Sequence, residues 1–362
     1  MSHSCDVLII GGGIAGLSLA SMLSAETKVV LAEAEPTLAY HTSSRSARQL
    51  VPSHGPAAVR ELTARTLEIL PALECQSGLR CLAPASFLLV GDEESVRAHA
   101  NELMESLSHA QAGEISPELK PESFSAARLD RHSFTLDADA LIEFHRATAA
   151  ANGAVILTGA PVRSARKNFG GWRVDAGTET IEAATVVNAA GAWADPVAGI
   201  FGAAPHGLVP YRRTAALVEV ERPLAPGHPM VVMADGSFYY RPEGSQVLIS
   251  PSETVASPAE DAKPHPGDIE AVIALIDAAT TMRIRSVARS WTGLRTEPAD
   301  GHPVVGFDGV VEGFFWLAGQ DGYGFQTSSG IAELAAALLL RRGPAAWSAS
   351  AAAALSPLRN PA

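Results

Sequence analysis

Apolar residues run without alternation over 6–10 (DVLII) and again over 28–32 (KVVLA), as they do in short strands buried on both faces. Between them, 14–24 repeats apolar positions at helical spacing, which predicts strand, turn, helix and strand. A polar, hydroxyl-rich stretch follows (AYHTSSRSARQLVPSHGP, 39–56) and reads as a loop leaving the second strand. The pattern then predicts an amphipathic helix over 59–70, a strand over 86–90 and a helix over 93–107 with an acidic first turn. Pro, Ser and Glu crowd 108–127, which reads as surface loop. Asp137 caps a helix to about 151, where Asn152-Gly153 ends it.

From 154 onward the periodicity shortens to that of strands: AVILTG, PVRSARK, WRVDAG and TIEAA, with Gly170-Gly171 as a hairpin turn. TVVNAAGAWADPVAG (185–199) gives one more buried strand, a glycine at its end and a helix. Residues 212–250 read as three or four antiparallel strands, 268–279 as a helix and SVARSWTGLR as a strand. EGFFWLAGQDGYGFQTSSGIAELAAALLLRR is a buried strand, a glycine-rich turn and a long apolar helix. The pattern holds no internal repeat.

Glycines give the first unit its chemistry. Gly11 permits a tight turn, Gly13 the close approach of a pyrophosphate, and Gly16 close contact of helix on strand. The positive end of the helix would face the phosphates. Glu33 ends the second strand, about twenty residues on, where an acid accepts hydrogen bonds from an adenosine ribose. The bland alternative is an ordinary tight βα turn. Nucleotide-binding pieces fall at 1–77, 132–203 and 294–362, with strand-rich segments at 78–131 and 204–293 between them. A nicotinamide dehydrogenase more commonly keeps its nucleotide domain in one block, so the interruption favours FAD.

The length of 362 residues suits two domains, and 47% hydrophobic with 18% charged residues is an ordinary globular composition. A net charge of −12 argues against a nucleic-acid partner and requires local cations to hold any anionic substrate. Cys5, Cys75 and Cys81 lack metal-ligand spacing and read as reduced thiols; no metal is expected. No charged n-region precedes a signal-type stretch, and the longest apolar tract, 331–340, is too short to span a membrane, so a soluble cytoplasmic protein is expected.

DVLIIGGGIAGLSLA, Glu33, HTSSRSA, VVNAAGAWAD, SWTGLR and GQDGYGFQTS together resemble the FAD-dependent D-amino-acid oxidase and glycine oxidase (DAO) superfamily, and within it the D-arginine dehydrogenase branch. The likeness runs over essentially the whole chain. It implies an α/β flavoprotein: a Rossmann-like FAD domain and a substrate domain on a mixed, largely antiparallel sheet, the flavin at their junction. The implied reaction oxidises the Cα–N bond of an amino acid to an imine by hydride transfer to flavin N5. FAD contacts are implied at Ala15, Glu33, Ala34, Thr42, Ser43, Ser44, Arg45, Ser46, Ala47, Arg48, Gln49 and Val162. They are also implied at Asp321, Gly322, Tyr323, Gly324, Phe325 and Gln326, where bare backbone N–H groups at a helix start suit a negative ring. No Cys lies in these segments, so the FAD is expected to be non-covalent.

Arg295, Arg213 and Tyr239 match positions around the substrate carboxylate. A guanidinium grips a carboxylate through two parallel hydrogen bonds. Alternation alone leaves Arg212 against Arg213, and Tyr239 against Tyr240, open; the resemblance selects Arg213 and Tyr239. Three positions depart from the branch. Ser86 stands where a carboxylate grips a cationic side chain, Gln49 where a His stands, and His54 where a Tyr covers the substrate. The expected substrate is therefore an amino acid, or a related amine, whose side chain is not a cation. His54 is the nearby titratable candidate for a base. A 2-hydroxy-acid oxidase, a nicotinamide-dependent dehydrogenase and a non-catalytic flavin-binding module are the alternatives. The electron acceptor is left open.

Overall fold

The structure, a computed structural model, describes residues 2–343 and 345–359. The chain opens with β1 (Ser2–Ile10), α1 (Ile14–Leu23) and β2 (Val29–Ala32), then β3 (Gln49–Leu50) and α2 (Ala57–Ser77). It continues through β4 (Leu82–Gly91), α3 (Glu93–His99), β5 (Glu105–Leu107), α4 (His109–Ile115), β6 (Ala126–Leu136) and α5 (Ala138–Ala151). β7 (Val155–Leu157), β8 (Val162–Asn168), β9 (Gly171–Ala176), β10 (Glu179–Asn188) and α6 (Ala194–Ile200) follow. Next come β11 (Val209–Val220), β12 (Met230–Met233), β13 (Tyr239–Glu243), β14 (Gln246–Ser250), β15 (Val255–Ala256) and α7 (Pro266–Ala279). The remaining elements are β16 (Ile284–Glu297), β17 (Val304–Phe307), β18 (Phe314–Ala318), α8 (Ser328–Leu339) and α9 (Ala349–Leu355).

Two sheets organise these elements. The first runs β17-β18-β10-β1-β2-β7, parallel except at β17, and the β8–β9 hairpin extends it from β10. Its unalternated apolar runs are explained by burial on both faces. Val7 and Ile9 pack with Leu17, Leu31, Phe315 and the apolar face of α8, whereas Leu8 and Ile10 pack with Val186, Trp316 and Trp172. The second sheet runs β16-β11-β14-β13-β12-β4-β6-β3. Along β11, Ala216, Val218 and Val220 turn to a core closed by α7. Ala215, on the opposite face, joins Phe87, Leu89, Met230 and Tyr239. The α/β expectation holds, with mixed sheets as expected.

Several local expectations change. The helix expected over 93–107 stops at His99, because Ala100 is extended and the Asn101 amide spans Ser53 O (2.7 Å) and Leu103 N (3.1 Å), turning the chain into β5. The loop expected over 108–127 contains α4, started by a Ser108–Gln111 capping box hidden in a polar stretch. The 59–70 helix continues through Pro71 to Ser77. Within the 212–250 strands, β12 pairs antiparallel with β13 but parallel with β4. The boundaries expected at 131/132 and 293/294 fall inside β6 and β16. Among the described residues, no helix is long and apolar enough to cross a membrane.

Candidate functional site

The β1–α1 turn is built on close backbone contact. Gly11 sits at φ +110°, and a Cβ there would lie 2.4 Å from Ala189 O at the end of β10. A Cβ on Gly16 would lie 2.0 Å from Gly11 O, so α1 can approach its strand only as glycine. The first turn of α1 carries no acid, and the hydroxyl of Ser43 accepts the Ile14 N–H at 3.0 Å. At the end of β2, Glu33 accepts the N–H groups of Gly12 (2.6 Å) and Glu35 (2.9 Å). These elements border a cavity of about 310 Å³ that Gly11, Gly13, Glu33, Ala34, Ala190 and Val162 line. A glycine wall, a helix N-terminus without a competing acid and a carboxylate with unused lone pairs fit a dinucleotide.

Thr42 and Ser43 also line a second, larger cavity of about 720 Å³, so the two spaces meet at this segment. The larger cavity lies against the second sheet, and register decides which side chains enter it. On the antiparallel pair β11–β16, Tyr211 faces Arg295 and Arg213 faces Gly293, which puts these residues on one face. All four line the cavity. Arg212 turns the other way, donates to Lys263 O and lies 3.8 Å from Glu260. Tyr239 likewise lines the cavity, whereas the Tyr240 hydroxyl donates to Glu118 at 2.5 Å on the far side. Tyr239, Val232 and Leu89 are successive partners across β13, β12 and β4, and Met230 pairs with Phe87 beside them. The wall therefore grades from two guanidiniums at β16 and β11 to an apolar surface at β12 and β4.

Neither arginine is neutralised. Arg295 makes no side-chain hydrogen bond or ion pair with the described residues. Arg213 reaches Thr254 Oγ1 at 3.3 Å, but its buried Nε has no partner. Burial and the neighbouring Arg295 push the Arg213 guanidinium down to about 10. The amide nitrogen of Gln49, another lining residue, is also buried without a partner. His54 opens onto the same enclosed space, its ring 5.3 Å from that of Tyr323. Enclosure and then Arg295 push its imidazole down to about 4, so the ring is neutral at physiological pH. Enclosure raises the Tyr323 hydroxyl to about 12, with Asp321 adding to the shift. Glu297 also lines the cavity and is raised by burial and then by Asp321. Sequence reasoning missed it, although two residues on from Arg295 the strand period returns to the same face.

Gly322 fixes Arg295 sterically: a Cβ on Gly322 would lie 2.9 Å from the Arg295 Cζ and 3.0 Å from Nη1. Of the residues implied to touch cofactor or substrate, Ala15, Gly16, Ser44, Arg48 and Ser86 line neither cavity. Ser86 sits at an irregularity between the Ala85 and Phe87 pairs of β4, and the wall there is made by Phe87 and Leu89. The Arg48 guanidinium is taken by Asp139 at 2.5 Å. Arg45 lines the cavity, but its guanidinium is spent on Asp261, Thr292 O (2.7 Å) and Ala262 O (3.2 Å). Those contacts anchor the wall segment to the second sheet and to the 257–265 connection.

A family model described as "DAO: FAD dependent oxidoreductase" matches residues 6–338. The D-erythritol 1-phosphate dehydrogenase of Brucella abortus (strain 2308) is 32% identical over a 219-residue alignment that covers 54% of this chain and 43% of that protein. FAD-dependent oxidoreductase domain-containing protein 1 of Bos taurus is 28% identical over a 185-residue alignment that covers 45% of this chain and 37% of that protein. The matches thus span less than half the length of these relatives. Glycine oxidase from Geobacillus kaustophilus superposes with a TM-score of 0.84 at 22% identity, covering 99% of both chains. L-proline dehydrogenase from P. horikoshii gives 0.85 at 20%, covering 96% of both. At such identities the likeness is one of fold.

Proposed function

The chain belongs to the DAO family of FAD-dependent oxidoreductases, and from that membership we propose that it oxidises the Cα–N bond of an amino acid to an imine. The proposed substrate is a D-amino acid, or a related amine, whose side chain carries no positive charge. FAD when bound supplies, at N5, the acceptor for the hydride from Cα. Gly11, Gly13, Glu33 and Val162 would hold its nucleotide half, and Gln49 with 321–326 its ring, without a covalent bond. In this reading the first sheet with its helices is the cofactor domain and the second sheet the substrate domain.

One observation carries the proposal: Arg213 and Arg295 converge on the cavity, and apart from the one contact of Arg213 with Thr254 no described side chain occupies their guanidinium donors. A buried cation without a counter-ion is costly, and an α-carboxylate offers the missing charge in a planar, two-oxygen form. Held there, Cα is fixed in one orientation, which is the entropy cost that an oxidation at Cα must meet. The wall of Phe87, Leu89 and Met230 then offers the side-chain end an apolar surface.

Anaerobic bleaching of the holoenzyme's visible absorption, over a panel of D- and L-amino acids and amines, tests this. Arg295→Leu is expected to raise KM for amino acids at least tenfold, to spare amines without a carboxylate and to leave flavin content unchanged. Equal loss on both substrate types would assign Arg295 a structural role. A second reading, an oxygen-linked donor, draws on the relative named for D-erythritol 1-phosphate, since a pair of arginines also suits a phosphate. Erythritol 1-phosphate and 2-hydroxy acids in the same panel separate the two.

A further inference from the structure

Glu297 and Asp321 are the two carboxylates that line the substrate-side cavity, and both stand beside the arginine pair. Glu297 follows Arg295 by two residues on the same face of β16, roughly 7 Å along the strand. The Asp321 N–H donates to Thr296 O at 2.9 Å, so Asp321 is tied to the strand between them. Asp321 holds φ at 45°, a left-handed conformation unusual outside glycine, so the backbone places this acid at the cavity at a cost. Neither carboxylate has a side-chain hydrogen bond or ion pair with the described residues. Tyr239, which is 5% exposed and lines the same cavity, has no hydroxyl partner either. Opposite charges thus stand unpaired on neighbouring positions, the complement of a carboxylate and an ammonium group on one carbon.

We propose that Glu297, backed by Asp321, is the base that accepts the proton of the substrate's α-ammonium group. One N–H bond breaks and leaves its electron pair on nitrogen, and the proton forms an O–H bond on the Glu297 carboxylate. The amine is then neutral, the form whose lone pair can build the C=N bond. The assignment rests on the amino-acid reading above and deepens it: the site selects a free amine directly attached to the carbon that bears the carboxylate. It addresses the α-amine rather than a side-chain cation, because the acids adjoin β16 whereas the apolar wall lies four strands away at β12.

The charged surroundings agree. Asp321 and burial raise Glu297, while Arg213 on β11 and Arg295 on its own strand pull it down. Tyr323, pushed up to about 12, keeps its proton at neutral pH and cannot take another.

Two non-reacting ligands test the assignment. Isobutyrate carries only the carboxylate, and 2-aminoisobutyrate adds the amine but has no hydrogen on Cα. Kd is read from the shift in visible absorption of the holoenzyme. Glu297→Gln is expected to weaken 2-aminoisobutyrate about tenfold and to leave isobutyrate within about twofold, with Glu297→Asp between. In anaerobic bleaching by a good amino acid, Glu297→Gln should move the rising pH limb upward toward the free amine's own value. An unchanged ratio of the two Kd values, with an unchanged limb, overturns the role of Glu297 while the amino-acid reading stands. A wild-type enzyme that binds both ligands alike and is bleached by no amino acid overturns both.

Discussion

Gly322→Ala should damage carboxylate binding without damaging the fold. Gly322 does not occupy a left-handed conformation, so alanine brings no backbone strain. Its methyl would stand 2.9, 3.0 and 3.1 Å from Cζ, Nη1 and Nε of Arg295. Ordinary carbon contacts lie near 3.5–4.0 Å, so the guanidinium must retreat by roughly 0.5–1 Å. The obstacle is the far end of a flexible side chain, so the side chain yields and the backbone stays. A shift of that size breaks or stretches at least one charge-assisted hydrogen bond to a bound carboxylate, worth about 1.5–3 kcal/mol, or roughly ten- to hundredfold in Kd. Titration of isobutyrate into the holoenzyme, followed by visible absorption, reads that change, and thermal unfolding checks the fold. In an Arg295→Leu background the same substitution should add almost nothing, because the methyl acts through the guanidinium. Wild-type Kd for the single variant, or full additivity in the double variant, would refute the reasoning.

Glu33→Ala should speed FAD loss on dilution, read as released flavin fluorescence, by about tenfold, since a charged acceptor is worth roughly 1.5–3 kcal/mol. Acid precipitation of wild-type protein should leave all the yellow colour in the supernatant. His54 titrates at about 4 in the fold against 6.5 for an unperturbed imidazole, so the unfolded chain binds more protons between those values. Stability should therefore fall as pH drops through that window, and thermal unfolding of His54→Gln should show a shallower slope there. Val232→Glu should raise the ratio of kcat/KM for D-lysine over D-leucine by about tenfold or more, because Val232 is half-buried on the apolar wall. Ser86→Glu should leave that ratio unchanged; the reverse pattern would place the side-chain pocket elsewhere.

Much of the fold was legible because its signals are local. The unalternated runs at 6–10 and 28–32 announce strands buried twice over, and Leu8 and Ile9 do pack into opposite cores. The capping box of α4 and the short β5 escaped notice because a few polar residues among Pro and Ser resemble any loop until the partner strand is known. The site was legible in its residue types more than in its directions. Alternation along β11 could say that Arg212 and Arg213 diverge, but only the register against β16 decides which one turns to the cavity. Ser86 shows a different failure: the resemblance selects it, but its neighbours Phe87 and Leu89 line the cavity and Ser86 does not. Arg45 was unreadable for a third reason, since Asp261 lies 216 residues away in a segment with no pattern of its own.

The same distinction bears on how an acidic protein can hold an anion. With a net charge of −12, the field at a distance opposes a carboxylate, so recognition depends on a local reversal of sign. Many arginines of the fold cannot supply it because carboxylates already hold them, as Glu333 holds Arg65 at 2.6 and 2.8 Å and Asp300 holds Arg359 at 2.6 and 3.0 Å. Arg213 and Arg295 differ: their nearest acids stand beside them without closing an ion pair, which leaves both charges free for the proposed carboxylate. For Arg295, Gly322 is the reason the space exists: a larger residue would push the guanidinium off its position over the turn. The glycine-rich turn after β18 therefore leaves room beside the cavity for the Arg295 guanidinium, the group proposed to hold the substrate carboxylate.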